Sequence, residues 1–384
     1  MRRLFVLVAA VVMLDTTFYA AIAPLLPSYE AELGLSKAGA GVLSASYAAG
    51  TLLASVPAGY LAAAKGPRFA VLAGLALLAL SSVAFAFAQT IVLLDAARFV
   101  QGIAGACAWS GGLAWIFRAT TDASRGKTVG GVLAAAVAGV ALGPVLGAAA
   151  RLSSPELVFS LIGVVALVLA GFALATSGPK GSAPPALAAV WRCVARGPVL
   201  GPFALVALPA LFSGTLAVLA PLRLDDLGAG ALALGAVFLL AAAFEAALSP
   251  LVGRLSDRRG RMLPIRAGLA GAIPFAFLLA VPRSPLLLGV MVIATVGVLA
   301  SFWGPALALA SEAVEAAGLD QGFAGGIVNL AWAGGQVVGG SGGAALASNT
   351  ADAVPYAIIG TLCAVALGLV VQRRAPIEAV RSAV

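Results

Sequence analysis

Long apolar runs, each about as long as a membrane crossing, alternate with short polar breaks along the whole chain. The run VLAGLALLALSSVAFAFA at 71–88 is typical. A helix needs about 20 apolar residues to cross a hydrocarbon layer about 30 Å thick. The runs lack the alternation of apolar and polar positions that marks a transmembrane barrel strand. The pattern therefore predicts transmembrane helices.

Hydropathy and Pro/Gly-rich turns divide the chain into twelve predicted spans. Their bounds are 4–27, 38–63, 68–88, 90–118, 127–150, 155–176, 199–221, 230–252, 264–282, 285–310, 322–347 and 353–372. The first run begins like a signal peptide, but it is too long and contains Asp15, so we interpret it as span 1. The longest polar break follows span 6. We predict an all-α membrane protein with an N-terminal six-helix bundle (1–176), a cytoplasmic linker (177–197) and a C-terminal six-helix bundle (198–384).

Lysine and arginine are strongly biased to one side of this predicted membrane topology. The loops opposite the termini carry only Lys37, Arg151, Arg223 and Arg283, and Arg98 lies within a span. The remaining 18 of the 23 basic residues share the side of both termini. Because basic loops stay in the cytoplasm, we expect a multi-pass protein of the cytoplasmic membrane with both termini inside the cell.

Composition narrows the possible chemistry. Hydrophobic residues make up 62% of the chain and charged residues only 10%, against about 25% charged residues in soluble proteins. The net charge of +8 lies in short loops, so membrane topology accounts for it better than nucleic-acid binding does. The chain has no histidine, and its three cysteines lack metal-ligand spacing. We expect no enzyme active site, metal or cofactor, and any proton chemistry falls to carboxylates.

Similar patterns recur about half a chain apart. GYLAAAKGPR at 59–68 aligns with GRLSDRRGRM at 253–262. Spans 5 and 11 each carry glycines at i, i+4 and i+8, which let another helix backbone approach closely. These glycines are Gly139, Gly143 and Gly147, and Gly335, Gly339 and Gly343. We expect equivalent packing seams in two pseudo-symmetric halves, with a substrate site between them near the bilayer midplane.

Three sequence motifs lie within or directly after the predicted spans. They are Gly253-Arg254-Leu255-Ser256-Asp257-Arg258-Arg259-Gly260-Arg261 after span 8, Arg98-Phe99-Val100-Gln101-Gly102 in span 4, and Gly139-Val140-Ala141-Leu142-Gly143-Pro144-Val145-Leu146-Gly147 in span 5. They resemble motifs of the major facilitator superfamily, and within it of the twelve-helix drug:proton antiporters. Span 1, with LDTTFYAAIAPLLPSY, is also similar to that of the vesicular monoamine transporters.

The resemblance implies roles for these motifs. It associates the span 5 motif with exchangers and Arg98 with proton transfer. It implies gating by Gly139, Gly143, Pro144, Gly147, Asp257, Arg258 and Arg261. The loop between spans 2 and 3 departs from the family, because Ala63 and Ala64 stand where an Asp-Arg pair is usual. A charged cytoplasmic latch would therefore depend on Asp257.

Two acids lie in the middle of predicted spans. A charge there is costly and usually faces a cavity. Asp15 is either a neutral or hydrogen-bonded structural carboxyl, or a proton acceptor and counter-ion for a cationic substrate. Tyr19, one turn further on, can add a cation–π contact. Glu245, with no basic residue within a turn, is either structural or the second acid of the same function.

The remaining candidates are polar and aromatic. We expect Asp95 to neutralise Arg98 three residues along the same helix, and Arg98 to present its donors, with Gln101, to the cavity or to a carboxylate. The alternative for Arg98 is a structural bond between helices. Trp303 and Asn329 are candidates for the substrate pocket, Asn329 sharing a helix face with Trp332 and Gln336.

We predict a secondary active transporter that exports a small amphiphilic organic compound, expected to be cationic, in exchange for protons. The coupling candidates are Asp15, Glu245 and Arg98, and the substrate-binding candidates are Asp15, Tyr19, Gln101, Trp303 and Asn329. Its partners would be the substrate, protons and the lipid bilayer, with the proton gradient as energy source, no nucleic acid and a monomeric state. The alternatives are a facilitator or proton-linked uptake carrier for a sugar or other metabolite, and a non-transporting membrane receptor or assembly factor.

Overall fold

Helices make up nearly all of the protein in the computed structural model. It describes residues 2–120, 122–183, 188, 192, 197–317 and 321–372, without the side chains of 122–127, 197, 198, 321–325 and 327. The helices are α1 (Arg2–Ala20), α2 (Leu26–Leu33), α3 (Lys37–Ala64), α4 (Pro67–Ala86), α5 (Ile91–Ala119), α6 (Asp122–Leu152), α7 (Pro155–Ala175), α8 (Gly197–Asp226), α9 (Ala231–Arg259), α10 (Met262–Leu278), α11 (Pro285–Ala316), α12 (Gln321–Val337), α13 (Gly343–Asn349) and α14 (Ala353–Gln372).

The predicted all-α membrane fold is confirmed. Within the described residues, ten helical segments are long and apolar enough to cross a membrane, and α10 is a shorter apolar helix. The eleventh predicted span corresponds to α12 and α13, and the twelfth to α14. The proposed division into two bundles stays a prediction, because residues 184–187, 189–191 and 193–196 of the linker and 373–384 of the second bundle lie outside the described residues.

Two predicted spans are interrupted rather than continuous. Span 1 ends as α1 at Ala20, followed by a 3₁₀ turn at Ala23–Leu25 and then α2. Pro24 lacks the N–H that would continue the ladder of hydrogen bonds, which is the physical reason for the break. Span 11 contains a π-helical turn at Val338–Gly342, between α12 and α13. Three of its five residues are glycine, which tolerates the irregular backbone.

The two predicted packing seams are confirmed. In the first half, α6 packs so closely on α1 that a Cβ at Gly139 would overlap the Met13 carbonyl and one at Gly143 would lie 2.8 Å from the Thr17 carbonyl oxygen. In the second half, Gly339 packs in the same way on the Leu211 carbonyl of α8.

Equivalent threonines reinforce both seams. The Thr16 hydroxyl donates to the carbonyl of Ala136 at 3.0 Å, and the Thr215 hydroxyl donates to that of Gly339 at 2.9 Å. Each bond joins the helix pair that the glycines bring together, so the two seams share one chemistry.

Ion pairs join the two sequence halves at the end of the molecule opposite the termini. Lys37 at the start of α3 pairs with Asp352 before α14 at 2.7 Å. Arg151 near the end of α6 pairs with Asp225 near the end of α8 at 2.9 Å. Gly41 packs against Gly340 and Ala344 at the same end. We call this region, defined by the two ion pairs, the distal contact.

Gly143→Leu tests the first seam. The leucine side chain would separate α6 from α1, and overpacking of this kind costs about 1–3 kcal/mol. We expect a lower melting temperature of the purified protein and loss of transport. Gly368→Leu in α14 is the matched control, because open space surrounds Gly368. Equal stability and activity of the two variants would show that the seam tolerates separation.

Charge removal tests the distal contact. A single cysteine at Ala148, which is buried where α6 meets α9, reports on opening of this end. We expect the double variant Asp352→Asn/Asp225→Asn to raise the rate of maleimide labelling about two- to fivefold. The reason is that partly exposed ion pairs contribute up to about 1 kcal/mol each. Arg283→Gln at the same end is the control. The background lacks Cys107, Cys193 and Cys363. Unchanged labelling would show that packing alone holds this end closed.

Candidate functional site

A carboxyl group lies fully buried in the middle of the N-terminal half. Asp15 of α1 has 0% exposure. The Tyr47 hydroxyl of α3 donates a hydrogen bond to its Oδ2 at 2.9 Å. Its other oxygen, Oδ1, has no hydrogen-bond partner among the described residues. The carboxyl therefore has one occupied oxygen and one unoccupied oxygen.

Small residues make room for this pair. Tyr47 lies in the stretch ASYAAG. A Cβ on Gly102 of α5 would overlap the carbonyl oxygen of Tyr47. A Cβ on Gly105 would lie 2.5 Å from the Tyr47 hydroxyl oxygen and 3.0 Å from Oδ1 of Asp15. Glycine at these two positions is what lets α3, α5 and α1 meet around the carboxyl.

Arg98 is buried beside this carboxyl without bonding to it. The guanidinium has 0% exposure. It donates through Nη1 to Gln101 Oε1 at 2.6 Å and to the Phe18 carbonyl at 3.4 Å, and through Nη2 to the Tyr19 carbonyl at 3.3 Å. The two carbonyls belong to the last turn of α1, which ends at Ala20. The break in α1 thus supplies acceptors for a buried cation at the negative end of a helix dipole.

Aromatic rings surround the guanidinium and form a wall that reaches the second half. Its Cζ lies 5.4 Å from the centroid of the Tyr47 ring and 5.9 Å from that of Tyr19. These two rings are 4.8 Å apart. Trp332 of α12 contacts both, with centroid separations of 5.8 Å to Tyr19 and 6.4 Å to Tyr47. The wall therefore spans the boundary between the halves.

Glu245 of α9 is the second intramembrane acid near this wall. It is half-buried and lies within electrostatic range of Tyr19. No hydrogen bond to its carboxylate is found among the described residues. The site thus holds one acid from each half and one buried cation, with aromatic faces between them.

Within the described part of the chain, three unpartnered polar atoms lie in the central cluster formed by Asp15, Tyr19, Arg98 and Gln101. Besides Oδ1 of Asp15, the described residues offer no hydrogen-bond partner to Nε of Arg98 or to Nε2 of Gln101. Buried polar groups without partners are uncommon and costly. The unpartnered carboxyl oxygen can take up a proton, contact an organic cation or accept from water without rebuilding the bundle.

The structure separates the predicted site residues into two groups. Asp15, Tyr19, Arg98 and Gln101 lie in the central cluster. Trp303 instead lines a cavity of about 250 Å³ near the end of the molecule that carries the termini. Asn329 is half-buried, and Trp332, one turn along from it, makes the aromatic contacts.

The expected pairing of Asp95 with Arg98 is wrong. Within the described residues, the guanidinium of Arg98 donates only to Gln101 and to carbonyls of α1, and Oδ1 of Asp95 has no hydrogen-bond partner. The reason is geometric, because the carbonyls at the end of α1 and the Gln101 amide oxygen lie within reach of the guanidinium.

Two central residues were missed in the sequence. Tyr47 holds Asp15, and Gly105 makes space for both. The available signal was a tyrosine among small residues in the middle of a span, in a chain with only five tyrosines.

A family model described as Major Facilitator Superfamily matches residues 6–339. The chain belongs to the major facilitator superfamily. The resemblance of the three motifs to this superfamily is therefore confirmed, and the chain is a membrane transporter by family.

Two curated relatives match shorter segments. The MFS-type transporter ppzB of Metarhizium rileyi (strain RCEF 4871) is 36% identical over 103 residues, which cover 27% of this chain and 21% of that protein. The probable vesicular acetylcholine transporter-B of Danio rerio is 37% identical over 142 residues, which cover 35% of this chain and 29% of that protein. The matched segments thus span less than a third of these relatives.

A solved structure shares the whole fold. The bacterial homolog of the human lysosomal transporter Spinster, in its inward-facing and unoccupied conformation, superposes with a TM-score of 0.73 at 16% identity. The match covers 96% of this chain and 94% of that one. At this identity the likeness shows the fold alone.

The family's loop motif lies at the end that carries the termini. Asp257 and Arg258 are exposed, and Asp257 lines the same cavity as Trp303 and Arg261. Arg261 forms an ion pair with Glu312 of α11, within the same sequence half. No ion pair of Asp257 is found in the described part of this chain, and its role in a latch stays a prediction.

Gly105→Ala tests the space around the carboxyl. The added methyl group would lie 2.5 Å from the Tyr47 hydroxyl oxygen, so Tyr47 must move away from Asp15. We expect a loss of about 1–3 kcal/mol in stability and a marked loss of transport. Gly304→Ala, at a glycine with open space around it, should leave melting temperature and flux unchanged. Wild-type behaviour of Gly105→Ala would mean that the cluster adapts freely.

Proposed function

We propose that this protein is a proton-coupled antiporter that exports a small amphiphilic organic cation across the cytoplasmic membrane by alternating access. Both termini would lie in the cytoplasm, and the proton gradient would be the energy source. No cofactor takes part in this mechanism. The single observation that carries the proposal is the unoccupied Oδ1 of Asp15 at an aromatic wall between the halves.

Charge balance explains why proton and cation would exclude each other. A carboxylate inside an apolar bundle is stabilised by a proton or by a nearby cation. With Oδ2 occupied by Tyr47, Asp15 offers one oxygen for either partner. The carboxylate would take a proton from hydronium at Oδ1 and leave water, or bind the substrate cation there. Each transport step would therefore replace a proton at Oδ1 by a substrate cation, or a substrate cation by a proton.

The aromatic wall favours an amphiphilic cation as the substrate. Tyr19, Tyr47 and Trp332 offer ring faces, which attract cations, and apolar ring surface, which can cover the apolar part of a substrate. Glu245 supplies a second negative charge from the other half. A relative named as a vesicular acetylcholine transporter supports a cationic substrate, because acetylcholine is itself an organic cation.

Alternating access would be a rocking motion of the two halves about this site. The distal contact joins the halves opposite the termini, so its two ion pairs would break when that end opens. The glycine seams within each half would keep α6 on α1 and α12 on α8 during the motion.

Asp15→Asn tests the proposal in liposomes with an imposed pH gradient. Ethidium and tetraphenylphosphonium are the cationic probes, and a neutral sugar is the uncharged one. We expect the wild type to drive cation flux against its gradient and Asp15→Asn to fall to the level of empty liposomes, because the amide cannot cycle a proton. Asp95→Asn, at a half-buried acid outside the cluster, should keep wild-type flux.

Two results would contradict the proposal in different ways. Uphill transport by Asp15→Asn would exclude Asp15 as the coupling acid and shift the role to Glu245. Sugar flux that ignores the pH gradient would instead support a facilitator.

A further inference from the structure

We infer that Tyr47 is the positioning residue of the transport carboxylate: its hydroxyl occupies Oδ2 of Asp15, so that Oδ1 is the atom that exchanges proton and substrate cation. This inference rests on the proposed function above and deepens it. It assigns separate roles to the two oxygens of one carboxyl group and gives a role to a residue on a different helix.

The first argument is the geometry of the carboxyl group. Tyr47 is 4% exposed and Asp15 is 0% exposed, so bulk water does not compete for their 2.9 Å hydrogen bond. The phenolic O–H is the donor, because an ionised carboxylate only accepts. Oδ1 faces no donor at hydrogen-bond distance among the described residues.

The second argument is that Tyr47 is held firmly. Its carbonyl oxygen lies against Gly102, and its hydroxyl lies against Gly105, both on α5. Thr51, one turn further along α3, donates its hydroxyl to the Gly102 carbonyl at 3.2 Å. The donor therefore keeps its position relative to Asp15 while other groups change.

The third argument is the contact of the Tyr47 ring with the second half. The ring meets Trp332 of α12 edge to face at 6.4 Å. Rocking of the halves would change this ring contact, while the contacts with α5 keep the hydroxyl at Oδ2. Tyr47 thereby holds Asp15 in place at the boundary between the halves.

The charged and titratable groups around Asp15 leave this assignment intact. Arg98 acts on it electrostatically but donates to Gln101 and to carbonyls of α1. The indole N–H of Trp109 on α5 is a second donor close to the carboxyl, but it does not reach hydrogen-bond geometry with Oδ1. Tyr19 and Glu245 lie further along the aromatic wall.

The proton step then has a defined outcome at each atom. Hydronium gives its proton to Oδ1 and becomes water, while Tyr47 keeps its own proton. Oδ2 becomes the C=O oxygen of the neutral acid and still accepts from Tyr47. Because a hydrogen-bonded C=O stretches at lower wavenumber than a free one, the bond to Tyr47 has a spectroscopic signature.

Infrared difference spectra of the purified protein, recorded between high and low pH, test the inference without a substrate. Asp15→Asn identifies the C=O band of protonated Asp15 by its absence. We expect Tyr47→Phe to shift this band to higher wavenumber, and Gly105→Ala, which displaces the same hydroxyl, to shift it in the same direction. Tyr356→Phe, at a buried tyrosine of α14, should leave it in place.

Ethidium binding supplies a second readout. We expect Tyr47→Phe to weaken binding about tenfold, the scale of one hydrogen bond to a charged group, and Tyr356→Phe to bind like the wild type. A band that stays in place in Tyr47→Phe and Gly105→Ala would overturn the role of Tyr47 while leaving the antiport proposal standing. A wild type without any band that Asp15→Asn removes would instead contradict Asp15 as the coupling acid.

Discussion

The cost of burying charge in an apolar bundle is the constraint on which the rest of this structure depends. Asp15, Arg98 and Gln101 are all fully buried within segments that can cross a membrane. Arg98 is accommodated because α1 ends early and exposes carbonyls, and because aromatic rings surround its guanidinium. Asp15 is accommodated because Tyr47 reaches it through the space at Gly105. The early end of α1 and the space at Gly105 on α5 thus both help to stabilise buried charged groups.

Close backbone approach is the second requirement, and both halves meet it in the same way. Gly139 on α6 and Gly339 after α12 lie against carbonyls of α1 and α8, and a threonine hydroxyl crosses each seam. Without a hydrophobic force between helices in lipid, such contacts and hydrogen bonds hold helices together. The halves meet through close packing at Gly41 and also through ion pairs at the distal contact, which can dissociate in water. Ion pairs that can open at the boundary suit a rocking transporter.

Features that depend on local composition could be predicted from the sequence, and features that depend on how helices face each other could not. Apolar runs and glycine spacing predicted the membrane fold and the seams, and the cost of an intramembrane charge singled out Asp15. The partner of Asp15 was not predictable, because Tyr47 lies on another helix and its direction depends on α3 and α5 meeting at Gly102. The prediction that Asp95 pairs with Arg98 was wrong for the same reason. Spacing on one helix places these two side chains within reach of each other, but the carbonyls at the end of α1, on another helix, accept the hydrogen bonds of the guanidinium.

The central claim is that a proton and an organic cation compete for one carboxyl group, Asp15. Proton release on substrate binding measures this directly, with purified protein in weakly buffered solution, a pH-sensitive dye and tetraphenylphosphonium as the probe. The account predicts that binding of the cation releases protons from the wild type and from Asp95→Asn, and that Asp15→Asn releases none. Cation binding to the wild type without proton release, or equal release from Asp15→Asn, would contradict it.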